Sequence, residues 1–168
     1  ISVPTLEGMA YNCYGRCEVI CPMMDARNKQ VFAGIYSFSE EENCICSKAD
    51  ASDSETDING SADPAFHILM EQTPLKVEEL AEKLNEIGRK VILLGDGTSV
   101  YRAMLADLLH VQYQYAPAHL SEQNAASLAV RAFDLLKEGK VISAADMRPD
   151  YLRLSQAERV RNSSLQKL

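Results

Sequence analysis

The sequence predicts an α/β fold, a mixed sheet flanked by helices, formed by one domain within 168 residues. Three observations predict it. Residues 19–24 and 31–36 are apolar at every position, as strands buried on both faces are. Asp25, Arg27, Asn28 and Lys29 separate the two runs with residues that favour a tight turn, which makes them a hairpin inside a covered sheet. Further short apolar runs then alternate with amphipathic helical patterns down the chain.

The elements follow in order. Thr5 to Tyr14 reads as a helix, with Thr5 as its cap, Leu6, Met9, Ala10 and Cys13 at helical spacing, and Gly15 as its end. The hairpin occupies about 18–38, and Pro22 within its first strand implies an edge position or a bulge. Residues 39–63 are rich in Ser, Asp, Glu and Ala and read as a mobile acidic loop, with Cys44-Ile45-Cys46 as a possible short strand. Phe66 to Glu71 is a strand that Thr73-Pro74 punctuates. Val77, Leu80, Ala81, Leu84 and Ile87 mark a helix ended by Gly88.

Lys90 to Leu94 is a short apolar strand, followed by Gly95-Asp96-Gly97. Thr98 is read as the cap of the next helix, through Val100, Met104, Leu105 and Leu108. Val111 to Tyr115 alternates as a half-exposed strand does. Ser121 is read as the cap of a long helix whose apolar positions are Ala125, Leu128, Ala129, Ala132, Phe133 and Leu136, closed by Gly139. Residues 140–150 form a loop, and 154–168 a polar tail.

Composition narrows the function classes. Between residues 39 and 63 there are eight acids and one base, −8 + 1 = −7, which is the whole net charge of the chain. The rest is neutral, so the basic footprint of an autonomous nucleic-acid binder is absent. No apolar run is long enough to span a membrane. The first residue is Ile1 and the chain enters Val3-Pro4-Thr5-Leu6 directly, which reads as a start in mid-protein. With no export signal, the five cysteines read as reduced thiols in a cytoplasmic protein.

Gly95, Asp96 and Gly97, between a strand and a helix, are the candidate cofactor-binding residues. Glycines let backbone approach a ligand, and helix N-termini attract phosphate. A structural turn explains the same residues, and the Gly-Lys-Ser/Thr of a phosphate loop is missing. Cys13, Cys17 and Cys21 lack the paired loop spacing of a zinc site. His67, His110 and His119 stand isolated, so no metal ligands are expected. Asp25 reads as a turn aspartate bonding backbone amides, with Arg27 solvated beside it. No Gly-x-Ser-x-Gly elbow or His-Glu-x-x-His pair occurs. The residues supply no self-sufficient active site, and no catalytic residue is assigned.

Four motifs carry a family resemblance. Thr5-Leu6-Glu7-Gly8-Met9-Ala10, then Met24-Asp25-Ala26-Arg27 with Gln30-Val31-Phe32, resemble the "S-T-L-x-x-x-A … D-A-R-x-x-E-V-Y" pattern of the TsaB (YeaZ) family. Leu94-Gly95-Asp96-Gly97 is similar to that family's V-G-D-G turn. Gly139-Lys140, then Pro149-Asp150-Tyr151-Leu152-Arg153, resemble its closing "G-K … P-x-Y-L-R". The motifs occur in the family's order over residues 2–153. Gln30 stands where Glu is common and Phe32 where Tyr is common, which implies packing roles there.

The resemblance implies an actin-like ATPase / ribonuclease-H-like half-domain at 1–153, the C-terminal half of the family's two α/β halves. It implies a non-catalytic scaffold that works with a TsaD-like subunit and a TsaE-like ATPase to place threonylcarbamoyl on adenosine 37 of tRNA. No cofactor of its own is implied, the nucleotide site near Gly95-Asp96-Gly97 being degenerate, and no direct tRNA or membrane binding. Contacts to TsaD, and a possible homodimer, would lie largely on the absent N-terminal half. Arg153, Arg159 and Arg161 read as a solvated helix face rather than a tRNA contact. The alternative is an enzyme, nucleotide-hydrolysing or glycoprotease-like, as older naming of the family has it.

Overall fold

A computed structural model of the chain describes residues 1–38 and 64–148. Among these, the order is α1 (Thr5–Ala10), a single 3-10 turn (Tyr11–Cys13), β1 (Val19–Asp25), β2 (Gln30–Ser37), β3 (His67–Lys76), α2 (Val77–Ile87) and β4 (Val91–Leu94). There follow α3 (Asp96–Val100), α4 (Arg102–Leu108), β5 (Tyr113–Tyr115), α5 (Ala118–Ser121) and α6 (Ala125–Lys137). The acidic stretch 39–63 and the tail 154–168 lie outside the described residues.

The strands form one sheet in the order β3-β2-β1-β4-β5. β1, β2 and β3 pair antiparallel, while β1–β4 and β4–β5 are parallel. This mixed sheet bears out the α/β reading, and its pattern is the ribonuclease-H-like one. The fully apolar runs are buried on both faces, as read. Val19, Cys21, Met23, Val31, Ala33 and Ile35 turn to one face and share a core with Leu80 and Leu84 of α2 and Leu105 of α4. Ile20, Tyr36, Ile92 and Leu94 turn to the other face, against Leu6, Met9 and Ala10 of α1. Period-2 alternation thus splits one apolar run between two cores.

Both prolines differ from the places read for them. β1 is the middle strand, so Pro22 is not at an edge. The β1–β2 register runs from Ile20↔Tyr36 to Met23↔Ala33, and the ladder lapses across Cys21 and Pro22, where Pro22 has no N–H to give. Pro74, read as punctuation, lies inside β3, paired with Phe32. The strand runs through to Lys76 because β3 is the edge, where a missing donor costs the sheet nothing.

Three caps also differ. Thr5 is the first helical residue, after Pro4, and the α-helix yields to the 3-10 turn at Tyr11. Thr98 sits inside α3, whose N-cap is Gly95. The helix read through Leu108 breaks at Tyr101, where φ is −107°. Asn124, not Ser121, caps α6, its side chain accepting from Ala126 N at 2.9 Å.

α6 departs most from its reading. Its buried positions are Arg131 and Leu135. Leu128, Phe133 and Leu136, apolar positions of the helical pattern, are exposed together with Val130. On the inward side Arg131 reaches Glu7 of α1, beside Leu135.

The cysteines split. Cys13 and Cys21 are free and buried, as read. Burial pushes their thiols up, to about 11 and about 12, so neither is a nucleophile at neutral pH. Cys17 is disulfide-bonded, which corrects the reading of reduced thiols throughout. It belongs to neither flanking element but to the bend before β1, and it is half-buried.

Candidate functional site

The candidate site lies at the C-terminal ends of the parallel strands β1 and β4, where α/β sheets place ligands. Two turns meet there. The hairpin turn carries Arg27, Asn28 and Lys29 with φ of 62°, 53° and 58°, three consecutive left-handed residues without glycine. Asp25 holds it: its Oδ1 accepts Arg27 N at 2.8 Å and the Tyr101 hydroxyl at 2.7 Å. Gln30 N bonds Arg27 O at 3.0 Å and Ala26 N bonds Gln30 O at 2.9 Å. Asp25 is therefore the turn aspartate the sequence indicated, and Arg27 is exposed. Desolvation, then the Asp25 hydrogen bond and charge, hold the Tyr101 hydroxyl above its ordinary pKa.

The second turn is Gly95-Asp96-Gly97. Asp96 Oδ1 accepts Asp25 N at 3.1 Å, tying the turns together. Gly95 N donates to Ser121 Oγ at 3.1 Å, and Thr98 Oγ1 donates to Gly95 O at 2.7 Å. Gly95 has φ +97°, and a Cβ there would run into the Met23 carbonyl of β1. At Gly97 a Cβ would stand 3.1 Å from the same oxygen. Both glycines thus answer to the backbone of β1. α3 has five residues, too few for a strong terminal dipole.

Beside this turn is an open cavity of about 320 Å³ lined by Thr98, Ser99, Arg102, Tyr115, Ser121 and Glu122, among others. Arg102 stacks over the Tyr115 ring with Cζ 4.3 Å from its centroid. The sequence reading named Gly95, Asp96 and Gly97 but missed Tyr101, Arg102, Tyr115 and Ser121 as their neighbours. No local signal marks those four, because the contacts bridge up to 76 positions. Asp25, treated separately, is joined to Asp96. Among the described residues no three His, Cys, Asp or Glu side chains group as a metal site would need. His110 and His119 are exposed and His67 lies on the edge strand. Among them, too, no helix is long and apolar enough to cross a membrane.

Fold and site define an α/β chain of the ribonuclease-H-like class with a glycine turn closed on its own sheet. Residues 1–160 match the family described as "TsaD: tRNA N6-adenosine threonylcarbamoyltransferase". The chain belongs to that family. It is 28% identical over 157 residues to the "tRNA threonylcarbamoyladenosine biosynthesis protein TsaB" of Bacillus subtilis (strain 168), covering 94% of this chain and 57% of the relative. Two solved Pseudomonas aeruginosa structures share the fold. One, titled an uncharacterized protein with similarity to peptidase YEAZ, has TM-score 0.61 at 18% identity, covering 91% of this chain and 58% of the other. The second, titled YeaZ, has TM-score 0.58 at 17% identity, covering 90% and 59%. This chain therefore spans less than two thirds of the length of these relatives.

Proposed function

We propose that this chain is the C-terminal part of a non-catalytic scaffold in the threonylcarbamoylation of tRNA adenosine. In this reading it works in the cytoplasm beside a TsaD-type subunit, which carries the transfer chemistry, and a TsaE-type ATPase. Family membership supports the pathway. The observation that carries the non-catalytic part is the glycine turn: Gly95 and Gly97 are taken up by close approach of Met23, and the Gly95 N–H by Ser121. A phosphate-binding turn leaves its glycine amides open to the ligand. The raised thiols of Cys13 and Cys21 add no nucleophile.

Reconstitution tests it. Purified TsaD and TsaE, threonylcarbamoyl-adenylate and unmodified tRNA are combined with and without the gene product, and modified adenosine is counted by mass spectrometry. Dependence on the protein supports the scaffold, and equal yield without it overturns the reading. The enzyme alternative predicts micromolar ATP binding that Gly97→Val abolishes.

A further inference from the structure

We propose that a cavity between the 3-10 turn, α5 and the sheet binds a small uncharged molecule with an amide-like edge, its N–H donating to Asn12 Oδ1 and its carbonyl accepting from the Tyr115 hydroxyl. The cavity has a volume of about 350 Å³. Asn12 and Cys13 of the 3-10 turn, Ile92 of β4, Tyr115 of β5, Pro117 and Leu120 line it. It lies on the α1 side of the sheet, to which Ile92 turns. Tyr115 borders both this cavity and the one beside the glycine turn.

Asn12 carries the argument. Its Nδ2 donates to Leu120 O at 2.8 Å and to Glu122 O at 2.7 Å. Two carbonyls decide which end of the amide faces them, since the reversed side chain would set oxygen against oxygen. Oδ1 is left at the other end, buried, with no hydrogen-bond partner among the described residues. The Tyr115 hydroxyl is buried and unpartnered among them as well, while Arg102 lies over the face of its ring. Folded proteins rarely bury an acceptor or a hydroxyl unmet, and here two such groups belong to residues that line one cavity.

The walls select the ligand. Arg16 is already paired with Glu18 at 2.9 Å, and Gln114 Nε2 donates to the same carboxylate at 3.2 Å. An anionic ligand would have to displace Glu18, so the ligand is uncharged. Ile92, Pro117 and Leu120 call for an apolar body, as in small-molecule sites where a few polar groups fix the orientation. One water fills roughly 30 Å³ and needs two to four polar partners, which these apolar walls do not offer. An aromatic or cyclic amide carries a donor and an acceptor on one edge of an apolar body. The inference is independent of the proposed function.

Benzamide is the probe. The isotope-labelled 168-residue chain is titrated with it and followed by proton–nitrogen NMR. Saturable shifts are expected at the Asn12 side-chain amide and at the backbone amides of Ile92, Ala116 and Leu120. Methyl benzoate, with the same body and no N–H, should bind about tenfold more weakly. Benzoate should leave these signals in place. Tyr115→Phe keeps the ring and should keep the spectrum of the folded chain, yet bind benzamide several-fold more weakly. Absence of saturable shifts with benzamide would mean that the cavity takes water only, and overturns the inference. Shifts centred instead on Thr98, Ser99 and Arg102 would assign the ligand to the neighbouring cavity and overturn it too. Equal affinity for methyl benzoate, or undiminished benzamide binding by Tyr115→Phe, would show that the two buried polar groups do not hold the ligand, with the same result.

Discussion

Arg131 Nε and Nη2 each lie 2.7 Å from Oε2 of Glu7, a residue 124 positions earlier in the chain. Both residues are buried, and Arg131 also lies over the Phe66 ring, 4.6 Å from its centroid. Burial alone would lower the arginine pKa, but the Glu7 hydrogen bond and charge outweigh it and hold the guanidinium above its ordinary value. The pair joins α1 to α6, and Glu138 adds a third, more exposed member at 3.3 Å.

Removing one partner should be far worse than removing both. Glu7→Gln leaves a buried cation without its closest carboxylate, and a loss of about 3 kcal/mol is expected in urea unfolding. Glu7→Leu combined with Arg131→Met replaces the pair with apolar volume, and should come within about 1 kcal/mol of wild type. If the double variant is as unstable as Glu7→Gln, packing rather than uncompensated charge accounts for the loss.

Gly95 and Gly88 separate two reasons for a glycine. Both have positive φ, +97° and +71°. Around Gly88 nothing lies within 4 Å of an added Cβ, whereas at Gly95 it would strike the Met23 carbonyl. Gly88→Ala should lose about 1 kcal/mol, the strain of a left-handed alanine. Gly95→Ala must also push β1 aside, and about 3 kcal/mol or more is expected. Equal losses in thermal or urea unfolding would show that the turn can move off β1.

Much of this fold is legible because period and length speak locally. The unbroken apolar runs 19–24 and 31–36 indicated a doubly covered hairpin, and Val77–Ile87 with Gly88 indicated a helix and its stop. The misreadings share one cause. The effect of Pro22 and Pro74 on their strands depends on whether a neighbour needs the missing N–H, and that is set by sheet order. Ser121 has the chemistry of a cap yet accepts from Gly95, 26 positions away. Nor does periodicity reveal which side of α6 faces inward: Arg131 is buried against Glu7 while four large apolar residues of the helix stay exposed. At the site, the turn is visible in the sequence, and its closure by Met23 and Ser121 is not.

Cys21 makes stability fall at alkaline pH. Burial lifts its thiol from 9.0 to about 12. Between these values the unfolded chain releases the proton while the folded chain keeps it, so the native state binds more protons and stability declines as pH rises. The contribution is fully present below 9.0 and lost progressively toward about 12, at about 1.4 kcal/mol per pH unit. Cys21→Ala removes this dependence. The variant should be less stable than wild type at about pH 8, and the gap should narrow by about 1 kcal/mol at about pH 10. A constant gap across urea midpoints would mean that the thiol ionises without penalty in the fold.

Asp96→Asn isolates charge from architecture at the turn. Asp96 is exposed, and its Oδ1 accepts Asp25 N, which an asparagine Oδ1 can also do. The Thr98 and Ser121 bonds to Gly95 do not involve its side chain. The variant should therefore fold within about 0.5 kcal/mol of wild type. For a scaffold, the yield of modified adenosine in the reconstituted reaction should be unchanged, because no step uses the carboxylate. A fall of about tenfold or more at unchanged stability would correspond to over 1 kcal/mol of transition-state stabilisation lost with the charge. That outcome would place a reacting or metal-bound group at the Asp25–Asp96 junction and decide for the enzyme. Tyr101→Phe distinguishes the two further: it removes the 2.7 Å bond to Asp25 without touching charge, so it should lower stability slightly and leave the yield unaltered.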